Sequence, residues 1–129
     1  MKILFVICRL LLGLMVFVFG LNGFLHFIPM GPMPAGLAGQ FFVVMTQSHY
    51  MVPVFALQVI GGILLLINQF VPLALTILAP IIVNVLIFHI TMQPAGLPPG
   101  TVALILWIVL ASRLWSHFAP LLTRKTTVG

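Results

Sequence analysis

Polar side chains that could bind a ligand stand inside stretches of sequence that are otherwise almost entirely apolar. They are Asn22, His26, Gln58, Asn84 and His89. Amide and imidazole groups can hydrogen-bond the carbonyl oxygens of a quinone, and imidazole can also carry a proton or ligate a metal. The same side chains can instead hold helices together, and the sequence leaves both interpretations open.

The composition disfavours several kinds of chemistry. The chain has no Asp or Glu, so no pair of side-chain carboxylates can act as general acid and base. Cys8 is the only cysteine, which rules out an internal disulfide or a C-x-x-C redox pair. A haem needs two axial ligands at matched depth, for which only His26 and His89 are candidates, and no carboxylate is present to orient them. We predict no catalytic residues and no metal site, and a quinone is the cofactor that the polar residues could bind.

The overall composition is that of a membrane protein. Of the 129 residues, 63% are hydrophobic and 4% are charged, whereas a soluble domain has about 25% charged residues. The sequence pI is about 11.0, but five cations without a basic stripe do not predict a nucleic-acid partner. Membrane lipid is therefore the predicted partner of most of the surface.

Four apolar stretches predict the elements that must position these side chains, since each membrane-spanning helix needs about 20 apolar residues. We predict an all-α fold, an integral membrane four-helix bundle that forms a single domain over residues 1–129. A proline-rich segment follows the first span, and the uncharged stretch 37–47 after it predicts a short interfacial helix between spans 1 and 2. The predicted spans are about residues 3–27, 51–68, 71–91 and 101–118.

The positive charges predict the orientation. Lys2 and Arg9 lie at the start of the first span, and Arg113, Arg124 and Lys125 lie at or after the end of the fourth. An even number of spans places both termini on one side of the membrane, which the positive-inside rule makes the cytoplasm. Because the chain offers no acidic side chain, these arginines and Lys125 are predicted to contact lipid phosphates, backbone carbonyls or another protein.

This orientation places all five polar side chains in the outer half of the predicted bundle. At about 100° per residue, Gln58 shares a helix face with Gly61 and Gly62. Small residues let membrane helices approach closely, so we expect Gln58 to face Asn84 or the first helix. Gln58 then either makes a packing hydrogen bond, or lines with Asn84 and one or both of His26 and His89 a small polar cavity open to the outside.

Segments along nearly the whole chain resemble the DoxX family of small four-helix bacterial membrane proteins. They are "CRLLLGL", "FGLNGFLHF", "ALQVIGGILLL" and "NQFVPLALTILAPIIVNVLIFHI". By position, Arg9, Gly13, Gly61, Gly62 and His89 match features common in that family. Many relatives carry an acid where Gln58 stands, and an amide cannot exchange a proton near neutral pH.

The resemblance implies a place in the bacterial cytoplasmic membrane and a link to sulfur and redox metabolism. Some members of the family resemble the membrane part of a thiosulfate:quinone oxidoreductase, and others are partners of redox enzymes. We therefore expect an accessory or anchoring subunit of a quinone- or sulfur-linked membrane redox complex, with another membrane or membrane-surface protein as partner. The alternative is a quinone-binding oxidoreductase subunit that uses the outer polar cavity.

Overall fold

Helices are the only regular elements of residues 2–29 and 31–129, the part of the chain that a computed structural model describes. Apolar runs without β-branched alternation, punctuated by prolines and short polar turns, account for helices rather than strands. Two short 3-10 turns lie at Pro94–Gly96 and Ala119–Leu122. The helices are α1 (Lys2–Leu25), α2 (Gly36–Gln47), α3 (Met51–Leu66), α4 (Val71–Thr91), α5 (Leu97–Arg113) and α6 (Trp115–Phe118).

The chain is a multi-pass membrane protein. Among the described residues, three segments are long and apolar enough to cross a membrane, namely Lys2–Leu25, Val71–Thr91 and Pro94–Arg113. A fourth crossing is formed if α2 and α3, which meet at an angle of 86°, count as one broken span. The outward faces carry large apolar side chains such as Ile3 and Ile105, which are 74% and 56% exposed. Such faces are stable against lipid chains and not against water.

The long helices contact one another in a closed order. α1 packs against α3 and α5, and α4 packs against the same two helices. α1 and α3 run in opposite directions, because Gly13 in the middle of α1 meets Leu65 at the end of α3, and Gly23 near the end of α1 meets Phe55 near the start of α3. The centre is filled by leucines with no exposed surface: Leu12, Leu65, Leu75 and Leu78.

Glycines bring α1 and α3 into close contact. Gly62 of α3 lies so near the backbone of α1 that a Cβ atom there would be 2.8 Å from the Phe17 nitrogen. A Cβ on Gly20 of α1 would be 3.2 Å from the Gln58 side chain. Close approach through small residues replaces the hydrophobic driving force that helices lack inside a bilayer.

Several helices begin or end a few residues from the predicted limits of the spans. α1 ends at Leu25 and not at residue 27, because His26 turns to a left-handed φ of 51°. α3 ends at Leu66 instead of residue 68. α5 begins at Leu97 and not at residue 101, since prolines in a first helical turn remove only N–H groups that would lack a helical partner. It ends at Arg113 and not at residue 118, because Leu114 leaves helical geometry before α6 begins.

The helix predicted at residues 37–47 is present as α2, one residue longer. Its Phe41 and Phe42 rings lie 5.1 Å and 5.6 Å from the ring of Phe88 near the end of α4. Its Gly39 lies against the Pro34 carbonyl, where a Cβ would be 2.1 Å from the oxygen. These contacts hold α2 across the end of the molecule where α1 and α4 finish.

Candidate functional site

Gln58 faces the first helix, one of the two neighbours that the sequence predicted for it. Its Nε2 donates to the Val16 carbonyl of α1 at 3.1 Å, and the side chain is half-buried. Gly62 faces Phe17 of α1, whereas Gly61 faces Leu78 of α4. The two adjacent glycines therefore let two different helices, α1 and α4, approach α3 closely. The Gln58 amide bonds across the contact between α3 and α1.

Asn22 and His26 form the end of α1. Asn22 is 8% exposed, and its Oδ1 accepts from the Ile28 N–H at 2.7 Å. The His26 N–H donates to the Asn22 carbonyl at 2.8 Å, and the His26 side chain is exposed. The Asn22 Oδ1 thus stabilises the turn that follows α1, and this bond engages the oxygen that could otherwise face a ligand.

Asn84 lies on an exposed face of α4. Its Nδ2 donates to the Pro80 carbonyl, four residues earlier in the same helix, at 2.8 Å. Thr76 makes the corresponding bond to Pro72 at 2.9 Å. These bonds satisfy polar side chains on a lipid-facing helix without a partner from another helix.

His89 lies in the last turn of α4, where the turn that leads to α5 holds its side chain. Its Nδ1 lies 3.1 Å from the Gln93 carbonyl, and because a carbonyl only accepts, Nδ1 carries the proton. The neutral ring then has its acceptor lone pair on Nε2. Gly96 fits against the ring, where a Cβ would be 2.3 Å from Cε1.

No described hydrogen bond joins the side chains of two of these residues. The side chains of Asn22, Gln58, Asn84 and His89 each bond to a backbone atom. Within residues 2–29 and 31–129, no three His, Cys, Asp or Glu side chains group together as a metal site. The shared outer cavity stays a prediction, while the geometry of Gln58 favours the packing interpretation.

Arg9 binds the end of α3. Its Nη1 donates to the carbonyls of Leu65 and Leu66, at 3.2 Å for Leu66. The last carbonyls of a helix have no helical partner and lie at the negative end of its dipole. Of the three partners expected for this arginine, backbone carbonyls are the one that the structure shows.

Arg113 lies beside Arg9 at what we call the arginine end, the end of the molecule that holds these two residues. Its guanidinium stands 5.2 Å from the centroid of the Phe5 ring, a cation–π distance. Both arginines line a cleft of about 280 Å³, together with Asn68 and His117. Arg124 and Lys125 are exposed in the tail and lie outside this cleft.

Three residues of structural importance are not predicted in these roles by the sequence. Asn68 and His117 reach the arginine cleft only because the turn before α4 and the short helix α6 bring them there. Trp107 of α5, whose indole could flank a quinone ring, donates from Nε1 to the Leu75 carbonyl of α4 at 2.8 Å. An apolar run interrupted by one indole gives no signal for that partner.

Gln58→Leu is expected to lower the free energy of unfolding by about 0.6 kcal/mol and by no more than about 2 kcal/mol, since one interhelical hydrogen bond is lost. Far-UV circular dichroism during titration with a denaturing detergent measures it. Gln69→Leu is the matched control, because Gln69 is exposed in the turn before α4. Unchanged stability together with loss of a co-purifying ligand would contradict the packing role of Gln58.

Comparisons of the chain with protein-family models, with curated proteins and with solved structures found no match.

Proposed function

We propose that this chain is an accessory or anchoring subunit of a membrane redox complex, without catalytic activity of its own. In this proposal the four long helices form a transmembrane bundle, and α2 lies in the outer membrane interface. The membrane is the bacterial cytoplasmic membrane, with both termini in the cytoplasm.

The proposal rests on the hydrogen bonds that the polar side chains make within the chain. Asn22, Gln58, Asn84 and Trp107 each bond to backbone atoms of this chain. The bonds of Gln58 and Trp107 join two helices, the bonds of Asn22 and Asn84 are local, and all four engage the polar groups. Arg113 at the arginine end is exposed, as are Arg124 and Lys125 in the tail, in a chain without any acidic side chain. A cationic surface of this kind complements an acidic partner protein.

The bend between α2 and α3 supports the proposed membrane placement. α3 has 16 residues and is about 24 Å long at 1.5 Å per residue, which is shorter than a hydrocarbon core of about 30 Å. α2 turns away from it by 86°. A helix perpendicular to a span lies along the membrane surface and places the exposed Tyr50 at the boundary, where aromatic side chains are favoured.

The redox assignment rests on the resemblance to the DoxX family alone. Its supporting segments include "CRLLLGL", which contains Arg9, and "ALQVIGGILLL", which contains Gln58. In the structure these two segments contact each other, because Arg9 binds the carbonyls of Leu65 and Leu66 and Gly13 packs against Leu65. These two segments thus belong to one pair of packed helices, α1 and α3.

The test is co-purification from native membranes in a mild detergent through a tag on the C-terminal tail. We expect a stoichiometric redox protein in the eluate of the unmodified chain. Its recovery should fall by about five-fold when Arg113, Arg124 and Lys125 are all replaced by Gln, if each charge contributes a few tenths of a kcal/mol at the rim of an interface. Recovery of the chain alone, from cells that contain native levels of all partners, would contradict the subunit proposal.

A quinone-binding oxidoreductase subunit is the second candidate, and the geometry of His89 is the observation that favours it. The Nε2 atom of His89 has no hydrogen-bond partner within the described residues and can accept a bond from a hydroquinone hydroxyl. Solvent extraction of the purified chain for quinone, with His89→Ala as the comparison, separates the two functions. Bound quinone that is lost in this variant would favour the second candidate.

A further inference from the structure

The cleft at the arginine end lies between α1, α4 and α5, and α6 forms one side of it. Its polar lining consists of Arg9, Asn68, Arg113 and His117. Its apolar lining includes Val6 of α1, Leu110 of α5 and Leu114 beyond α5. One space of about 280 Å³ therefore combines cationic side chains with apolar walls.

The unused hydrogen-bond donors in the cleft suit an anion. Arg9 donates through Nη1 to α3, so its Nε and Nη2 have no acceptor among the described residues. Arg113 is exposed and is held over the Phe5 ring instead of bonding to a carbonyl. Guanidinium groups remain charged at all physiological pH values and match phosphate oxygens in a bidentate geometry.

We propose that this cleft binds the phosphate headgroup of one anionic phospholipid, with an acyl chain along its apolar wall. Arg9 is fixed by α3 and positions the headgroup, and Arg113 supplies the second charge. Basic recesses between spanning helices on the cytoplasmic side are suited to anionic lipid headgroups. The apolar lining favours a lipid over free phosphate, because inorganic phosphate gains nothing from Leu110 or Val6.

The cleft lies in a different part of the molecule from the polar outer half, and lipid binding there does not rest on the subunit proposal. A bound lipid would also tie α1, α4 and α5 together at the end where α5 gives way to α6. The site would thus stabilise the arginine end whether or not a partner protein is present.

The test is native mass spectrometry and thermal unfolding of the purified full chain with added short-chain phosphatidylglycerol, phosphatidylcholine or inorganic phosphate. We expect one phosphatidylglycerol per chain and a raised unfolding temperature with that lipid only. Arg113→Gln should weaken its binding about five-fold, the effect of one basic side chain near an anionic lipid. Arg113 bonds to no backbone group within the described residues, so the variant should fold.

Arg124→Gln is the control, since it removes an equal charge from the exposed tail outside the cleft. Its affinity for phosphatidylglycerol should match that of the unmodified chain. Equal binding of phosphatidylcholine, or equal weakening by Arg113→Gln and Arg124→Gln, would overturn the site. Stabilisation by inorganic phosphate that displaces the lipid would overturn its assignment to lipid and indicate a soluble phosphate ligand.

Discussion

Gly62→Ala is expected to lower the free energy of unfolding by about 1–3 kcal/mol, although alanine is the better helix former. The added Cβ would be 2.8 Å from the backbone nitrogen and 2.9 Å from the Cα of Phe17. A backbone cannot rotate away as a side-chain tip can, so α1 and α3 must separate. Their separation would also lengthen the bond from Gln58 to Val16. Far-UV circular dichroism during titration with a denaturing detergent measures the change.

Gly100→Ala provides the comparison for this result. There the new Cβ would be 3.2 Å from the Leu86 Cδ2 and 3.3 Å from the Val85 Cγ1, both ends of side chains. The higher helix propensity of alanine, about 1 kcal/mol, should then make this variant as stable as the unmodified chain or more so. Equal stability changes for Gly62→Ala and Gly100→Ala would contradict the close contact between α1 and α3.

Arg9→Gln is expected to lower the free energy of unfolding by about 1.5–3 kcal/mol, the range for a hydrogen bond to a charged group. The variant leaves the Leu65 and Leu66 carbonyls at the end of α3 without their charged donor. It also removes a positive charge from the negative end of the α3 dipole. The same denaturing titration measures the loss, in detergent that contains no anionic lipid.

The control is Arg113→Gln, which removes an equal charge from the same end of the molecule. It gives up a cation–π contact with Phe5 at an exposed position, which contributes only about 0.5–1 kcal/mol. A loss for Arg9→Gln no larger than that for Arg113→Gln would show that binding to the end of α3 does not stabilise the protein.

The contacts of Gln58 could be predicted from the sequence because they follow from helical periodicity. An amide in an apolar helix has no partner in lipid, so it must point to another helix, and the adjacent glycines mark the side of close approach. The choice of Val16 as acceptor could not be predicted, since every residue of α1 carries a carbonyl. It depends on the axial register of α1 and α3, which the contact of Gly62 with Phe17 fixes.

The arginine cleft could be predicted only in part. The clustering of positive charges in the sequence predicts that Arg9 and Arg113 share one end of the molecule. The other polar residues of the cleft depend on where the helices end. α5 ends at Arg113, and the turn at Leu114 then directs His117 into the cleft. Asn68 stands there with a left-handed φ of 57°, in a turn whose shape depends on the contacts of α3 with α4.

The side-chain direction of Asn84 could not be predicted, for a related reason. Periodicity places this residue on a flank of α4, but whether that flank faces α3, α5 or lipid depends on how the helix is rotated in the assembly. In the structure the Asn84 Nδ2 donates to the Pro80 carbonyl within the same helix, at 2.8 Å. This local bond removes the need for an interior partner.

Site-directed labelling of thiols in intact cells tests whether the arginine end of the membrane bundle faces the cytoplasm. Ala95→Cys and Val128→Cys place single reporters at exposed positions at the two ends, and the native Cys8 is buried, at 6% exposure. A membrane-impermeant maleimide should label Ala95→Cys in intact cells, but should label Val128→Cys only after the membrane is permeabilised. Labelling of Val128→Cys in intact cells, with Ala95→Cys protected, would contradict the orientation and with it the cytoplasmic placement of the arginine cleft.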